Sequence, residues 1–205
     1  MRRATLFLSA AALAALSSCS TPTVDGSPTP TSGGPSSAPS SSAGLPPGVP
    51  KVEHPIDVAR FKQNPCATLT EPRVDELLGT RAEAERADGA AGPSCLWRIP
   101  STSRPVVQVI VSDFGDSGTA KFYAGKGTNY KFLEPLEPID GYPVTAYGVI
   151  DIRGQGDCSV ALGTSDTQSL GIASTLSEVN IGKKDPCAIA REAAIRVLAT
   201  IRGGN

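Results

Sequence analysis

The chain has 205 residues, a formal net charge of −1, 19% charged and 5% aromatic side chains, 21 Gly, 18 Pro and a single His. A balanced surface of mixed sign offers no basic patch for nucleic acid or anionic lipid. With one histidine, a Ser-His-Asp triad or a His-ligated metal site has almost no material to draw on.

The N-terminus reads as an address. Met1-Arg2-Arg3 is basic, and the stretch ATLFLSAAALAAL after it is apolar or small. These are the n-region and h-region of a secretory signal, too short for the roughly 20 residues that span a membrane as a helix. Leu16-Ser17-Ser18-Cys19 resembles a bacterial lipobox, in which a diacylglycerol alkylates the thiol and cleavage leaves the cysteine first. Residues 1–18 are therefore expected to be a lipoprotein signal peptide and Cys19 the lipidated N-terminus. Acyl chains contribute ~0.8 kcal/mol per buried methylene, so two or three anchor a protein firmly. Arg2 and Arg3 have too short a polar lead for twin-arginine export, so general secretion is expected.

Residues 19–50 follow as a tether. Beyond Cys19 they are mostly Ser, Thr, Pro and Gly, with too little apolar surface to offset the entropy of ordering. The expected reach lies between about 30 Å for a flexible coil and about three times that for an extended polyproline-like chain. Residues 51–205 then read as a single extracytoplasmic domain, long enough to bury about 70% of its unfolded surface. It carries ten Arg and seven Lys against ten Asp and nine Glu, with no block of one sign.

The domain opens on Asn64-Pro65-Cys66-Ala67, a helix-start device with a capping side chain before a proline. Thr70 and Pro72 repeat it, and Val74, Leu77 and Leu78 predict a short amphipathic helix stopped by Gly79. CLWRI (95–99) alternates as a strand. PVVQVIV (105–111) is β-branched with one polar residue and predicts a central strand buried on both faces. A short helix is expected in DSGTAKFYAG with Asp116 as its cap, and Asp140-Gly141-Tyr142-Pro143 turns the chain into VTAYGVID. RGQGD and GTSDT are the turns around CSVAL and QSLGIAST, so the last three strands form an antiparallel meander. Asp185-Pro186-Cys187-Ala188 starts the last helix, with Cys187, Ala190, Ala194, Val197 and Ile201 on one face. The fold class is α+β, a mostly antiparallel sheet of about five or six strands with flanking helices, including a C-terminal helix.

Without Cys19 the cysteines are an even set, Cys66, Cys95, Cys158 and Cys187, and disulfides are their expected state in an exported protein. No two stand close enough for a zinc knuckle. Of three pairings, the sequential one, Cys66–Cys95 and Cys158–Cys187, is preferred, because each joins a cysteine at a helix start to one in an adjacent strand.

NPCATLTEPRVDELLG, the C-x-W strand, the DCSV strand and DPCAIAREAAIRVL together resemble a family of actinobacterial cell-envelope lipoproteins, the domain of unknown function 3558 family. The likeness runs over about residues 60–202. It implies a secreted α+β domain with two disulfides and carries no catalytic residues.

GQGDCS (154–159) lies between strands and reads as a hairpin turn rather than a phosphate loop. Asp113 and Asp116 fit a solvated turn better than a calcium or acid–base pair, and His54 precedes the domain core. Trp97, Tyr123, Tyr130, Tyr142 and Tyr147 read as core or rim. The expected activity is therefore not enzymatic, with no cofactor, no metal and no nucleic acid. The expectation is an interaction or sensing domain held to the extracytoplasmic face of the cell membrane through Cys19. Its partner is an envelope protein or, alternatively, a small apolar ligand or lipid that it carries.

Overall fold

Alternating β-branched and small residues in the middle of the chain give the molecule its frame. The computed structural model describes residues 45–79, 82–100 and 102–203. They belong to one of the chain's two units, Ala43–Asn205. The predicted signal peptide, Cys19 and the tether up to residue 44 lie outside the described residues.

Seven strands form one sheet: β1 (Glu83–Arg86), β2 (Ser94–Arg98), β3 (Val106–Val111), β4 (Phe132–Ile139), β5 (Tyr142–Gly148), β6 (Asp157–Gly163) and β7 (Ser169–Thr175). The order is β1-β2-β3-β7-β6-β5-β4, and every neighbouring pair is antiparallel. Expecting five or six strands thus undercounts the sheet, and the two strands not foreseen are its two edges. The first, EAER, is short, charged and fully exposed. The second, FLEPLEPI, carries Pro135 and Pro138 and a register shift between Leu136 and Ile139. Charge, proline and bulges blunt an edge against stray pairing, and the same devices hide a strand from propensity. The turn from β4 to β5 is Asp140-Gly141, both at positive φ (49° and 83°), as a two-residue hairpin of the mirror-image type needs.

The registers put Trp97, Val107, Val109, Leu170, Ile172, Val160, Leu162, Val144 and Ala146 on one face. Helix α3 (Pro186–Ile201) lies across β6 and β7 there and buries Ala190, Ala193, Ala194, Val197, Leu198 and Ile201. Small alanines bring the helix close to the sheet, and the longer side chains fill the ends. Helix α1 (Glu71–Leu78) adds Val74 and Leu78 to this layer, and a 3-10 turn at Pro65–Thr68 completes it.

Both disulfides pin this layer down, in the sequential pairing. Cys66–Cys95 ties the 3-10 turn to β2, and Cys158–Cys187 ties β6 to the first turn of α3, with Cα separations of 4.9 and 5.0 Å. Each spans 29 residues, so constraining the unfolded chain is worth about 3–4 kcal/mol per bridge. Asp185 caps α3 by accepting from the Cys187 amide at 2.9 Å. Asn64 and Thr70, read as caps in the sequence, make no side-chain cap bond. Asp116 also misses that role: it sits inside a 3-10 turn, and α2 (Ala120–Ala124) begins after Thr119.

The segment before the first turn is tied to the β6–β7 hairpin. Val52, Ile56 and Val58 donate their amides to Asp166 Oδ1 (2.9 Å), Thr164 O (2.7 Å) and Gln168 Oε1 (3.0 Å).

Candidate functional site

The second face of the sheet is where the structure departs most from the sequence reading. β3 is central in position, but only Val107, Val109 and Val111 are buried; Val106, Gln108 and Ile110 are half-buried. Its expected burial on both faces therefore fails. The cause is the small size of α2, a helix of five residues that packs on only part of this face.

Phe122 of α2 is 1% exposed and anchors an aromatic cluster over Leu133 and Ala161. Its ring centroid lies 5.4 Å from Phe114, 5.9 Å from Tyr130 and 4.5 Å from Tyr147. Edge-to-face and offset geometries of this kind are worth about 0.5–1.5 kcal/mol per pair beyond area burial. Tyr123 joins by a hydroxyl contact with Thr145 at 3.2 Å. Spacing in the sequence gave no hint that Tyr123, Tyr130 and Tyr147 would meet. Tyr142 does not join them: its hydroxyl donates to the His54 carbonyl at 2.6 Å. Trp97 is buried on the covered face, and Asp113 is paired with Lys62 at 2.8 Å.

Tyr147 is the border of the cluster. Burial pushes its phenol far above the ordinary tyrosine range, and Tyr130 beside it adds to the shift. Its hydroxyl has no hydrogen-bond partner among the described residues and reaches over Gly171, where an added Cβ would lie 3.3 Å from it. Gly171 therefore keeps the floor low beneath the tyrosine.

Beyond Tyr147 the face is a shallow, half-covered trough. The registers place Ser159, Gly171, Ala173, Ile110, Gln108, Val106 and Leu96 along it. The floor carries no charge. Its one amide, Gln108, donates to Ser94 Oγ at 2.9 Å, and Ser94 in turn donates to the Ala87 carbonyl. At the end of the trough, Arg104 and Asp157 neutralise each other at 2.8 Å, and Thr175 donates to the same carboxylate at 2.5 Å. On the rim, Arg98 faces Glu85 at 3.1 Å.

Where the trough meets the β5–β6 connection it deepens into a recess of about 270 Å³ lined by Tyr147, Val149, Ile150, Ile152, Ser159 and Ala173, among others. Val149 and Ile150 stand 65% and 59% exposed beside it. Next to them Arg153 binds Asp151 through two nitrogens, at 2.9 and 2.7 Å, reaches Glu134 at 3.0 Å and stacks on Phe132 at 4.1 Å. The hydrogen bonds from Arg153 hold the Asp151 carboxyl down at about 2. Asp57 and Asp88 are lowered as well, by a backbone hydrogen bond from Ala59 and by the Arg86 side chain respectively.

Fold and site together define a class: a disulfide-braced α+β domain whose sheet is packed on one face and half bare on the other. Its disulfides are those of an oxidising, extracytoplasmic compartment. Among the described residues, no helix is long and apolar enough to cross a membrane. The chain belongs to the family described as protein of unknown function, DUF3558, whose family model matches residues 14–200. No curated protein and no solved structure matches it.

Proposed function

We propose that the protein is a lipid-anchored interaction domain on the extracytoplasmic face of the cell membrane. In this reading Cys19 holds it to the bilayer, the tether of residues 19–50 displays it, and the bare half of the sheet docks a folded envelope protein. The observation that carries the reading is the neutral trough ending in a recess beside exposed Val149 and Ile150. Interfaces concentrate their energy in a buried anchor side chain seated in such a pocket and surrounded by a polar rim. The matching partner presents an aromatic or aliphatic anchor from a surface of low charge.

Strand addition is disfavoured as the docking mode, since β1 is four exposed residues and β4 is broken by two prolines. A carrier holding its cargo under the middle of α3 gains little support, because the helix packs its alanines directly onto β6 and β7 there.

A photo-crosslinking side chain at Ile150 or Leu96, compared with Ala188 on the exposed side of α3, tests the docking face. One protein trapped from both trough positions and absent at Ala188, and then bound in purified form, supports the reading. Equal capture from all three positions sinks it. Separately, Cys19→Ala should release the protein from membranes, and unchanged fractionation would remove the anchor from the proposal.

A further inference from the structure

A second recess, of about 320 Å³, lies on the covered face, where α1 ends, β3 begins, β7 ends and α3 starts. That volume is at the low end of the ~300–1,000 Å³ of small-molecule sites. Its apolar walls are Leu78 from α1, Val107 from β3, Leu176 after β7 and Ile189 from α3, and of its polar lining Thr175 is bonded to Asp157 and Asn180 to Ser177.

Two further polar groups, with no partner among the described residues, make it more than a packing gap. Ser174 lines the recess at 3% exposure, in the row of β7 that otherwise buries Ile172 and Leu170. Its hydroxyl has no hydrogen-bond partner among the described residues. Other buried hydroxyls on the sheet are either bonded, as Ser94 is, or sealed in without access, as Ser169 is. Opening onto the recess, the Ser174 hydroxyl can pair with a polar group that enters it, as the sealed Ser169 hydroxyl cannot. At the mouth stands Lys184, exposed and with no ion pair among the described residues. The acid beside it, Asp185, is engaged with the Cys187 amide.

We propose that this recess binds a small amphiphilic carboxylate. The apolar body lies against Leu78, Val107 and Ile189, the carboxylate meets Lys184, and a hydroxyl or carbonyl on the body pairs with Ser174. This site is on the opposite face from the docking trough, so either can fail without the other.

The probe is beta-hydroxydecanoate, titrated into the full chain by calorimetry and by amide NMR, with decanoate as comparator. The expected result is binding, with shifts concentrated at the end of β7 and the start of α3. A charge-assisted hydrogen bond is worth enough that Lys184→Ala should weaken both acids about tenfold. Ser174→Ala should bring beta-hydroxydecanoate to the affinity of decanoate and leave decanoate itself unchanged. Absence of binding at millimolar probe overturns the proposal, as does binding that both substitutions leave untouched. Both variants reduce side chains rather than enlarge them, and unchanged melting confirms that they fold.

Discussion

The two faces of the same sheet were built to different rules. On the covered face, β3, β7 and β6 contribute Val107, Val109, Leu170, Ile172, Val160 and Leu162, each 0–2% exposed, and both disulfides and α3 lock onto it. On the other face the same strands contribute Ile110, Gln108, Ala173 and Ser159, all half-buried, and Gly171 beneath the Tyr147 hydroxyl. Stability is concentrated on the first face and accessible surface on the second. A domain that buried both faces of its sheet would have no comparable surface to offer a partner.

Large-to-small substitutions break this comparison most directly. Leu162→Ala, on the covered face, should cost about 2–5 kcal/mol by denaturant unfolding, because α3 cannot collapse into the space. Ile110→Ala, half-buried on the second face, removes less packed area and should cost about 1–2 kcal/mol. Equal losses would mean that the second face is packed after all. Replacing both Cys158 and Cys187 by Ser should cost about 3 kcal/mol, read as a lower midpoint, with the trough unaffected.

How much of this the sequence disclosed depends on which face is asked about. The C-terminal helix was legible because cap, proline and apolar period all agree from Asp185 to Ile201. The cysteines were legible because each sits at a helix start or in a strand of strong pattern. The edge strands β1 and β4 were not, since the glutamates and prolines that protect an edge are the residues that argue against a strand. β3 was read correctly as a strand and wrongly as doubly buried. A run such as VVQVIV looks the same whether or not something covers its second face. That depends on where Phe122 lands, which is set by contacts with Phe114, Tyr130 and Tyr147, residues with no common period. The trough was invisible for the same reason: its defining feature is the limited extent of α2.

Binding sharpens the comparison further. Ile150→Asp puts a charge beside the recess at a residue 59% exposed in the free protein. The melting temperature should hold while affinity for a trough-docked partner falls by at least about tenfold, the effect of losing an interface anchor. A matched loss from an exposed charge placed at Ala188 would instead point to the helix side. Within the covered layer, Asp185→Ala removes the one side-chain cap bond of α3 and should cost about 1 kcal/mol.

The smallest effect expected is a dependence on pH at the bare face's margin. Asp151 is held at about 2 by its hydrogen bonds from Arg153, below the usual carboxylate value near 3.8. A carboxyl lowered on folding contributes stability above its unfolded value, and that contribution is lost as pH falls toward the folded one. The pair is exposed and screened, so its weight is small. Thermal melts of the wild type and of Asp151→Asn should therefore differ slightly at pH 5 and converge as pH drops from about 4 to about 2. Curves that stay parallel across this window would show that Arg153 orders the β5–β6 connection through Phe132 and Glu134 rather than through Asp151. The recess beside Ile150 would then owe its shape to the stacked guanidinium, and Phe132→Leu would be the substitution that loosens it.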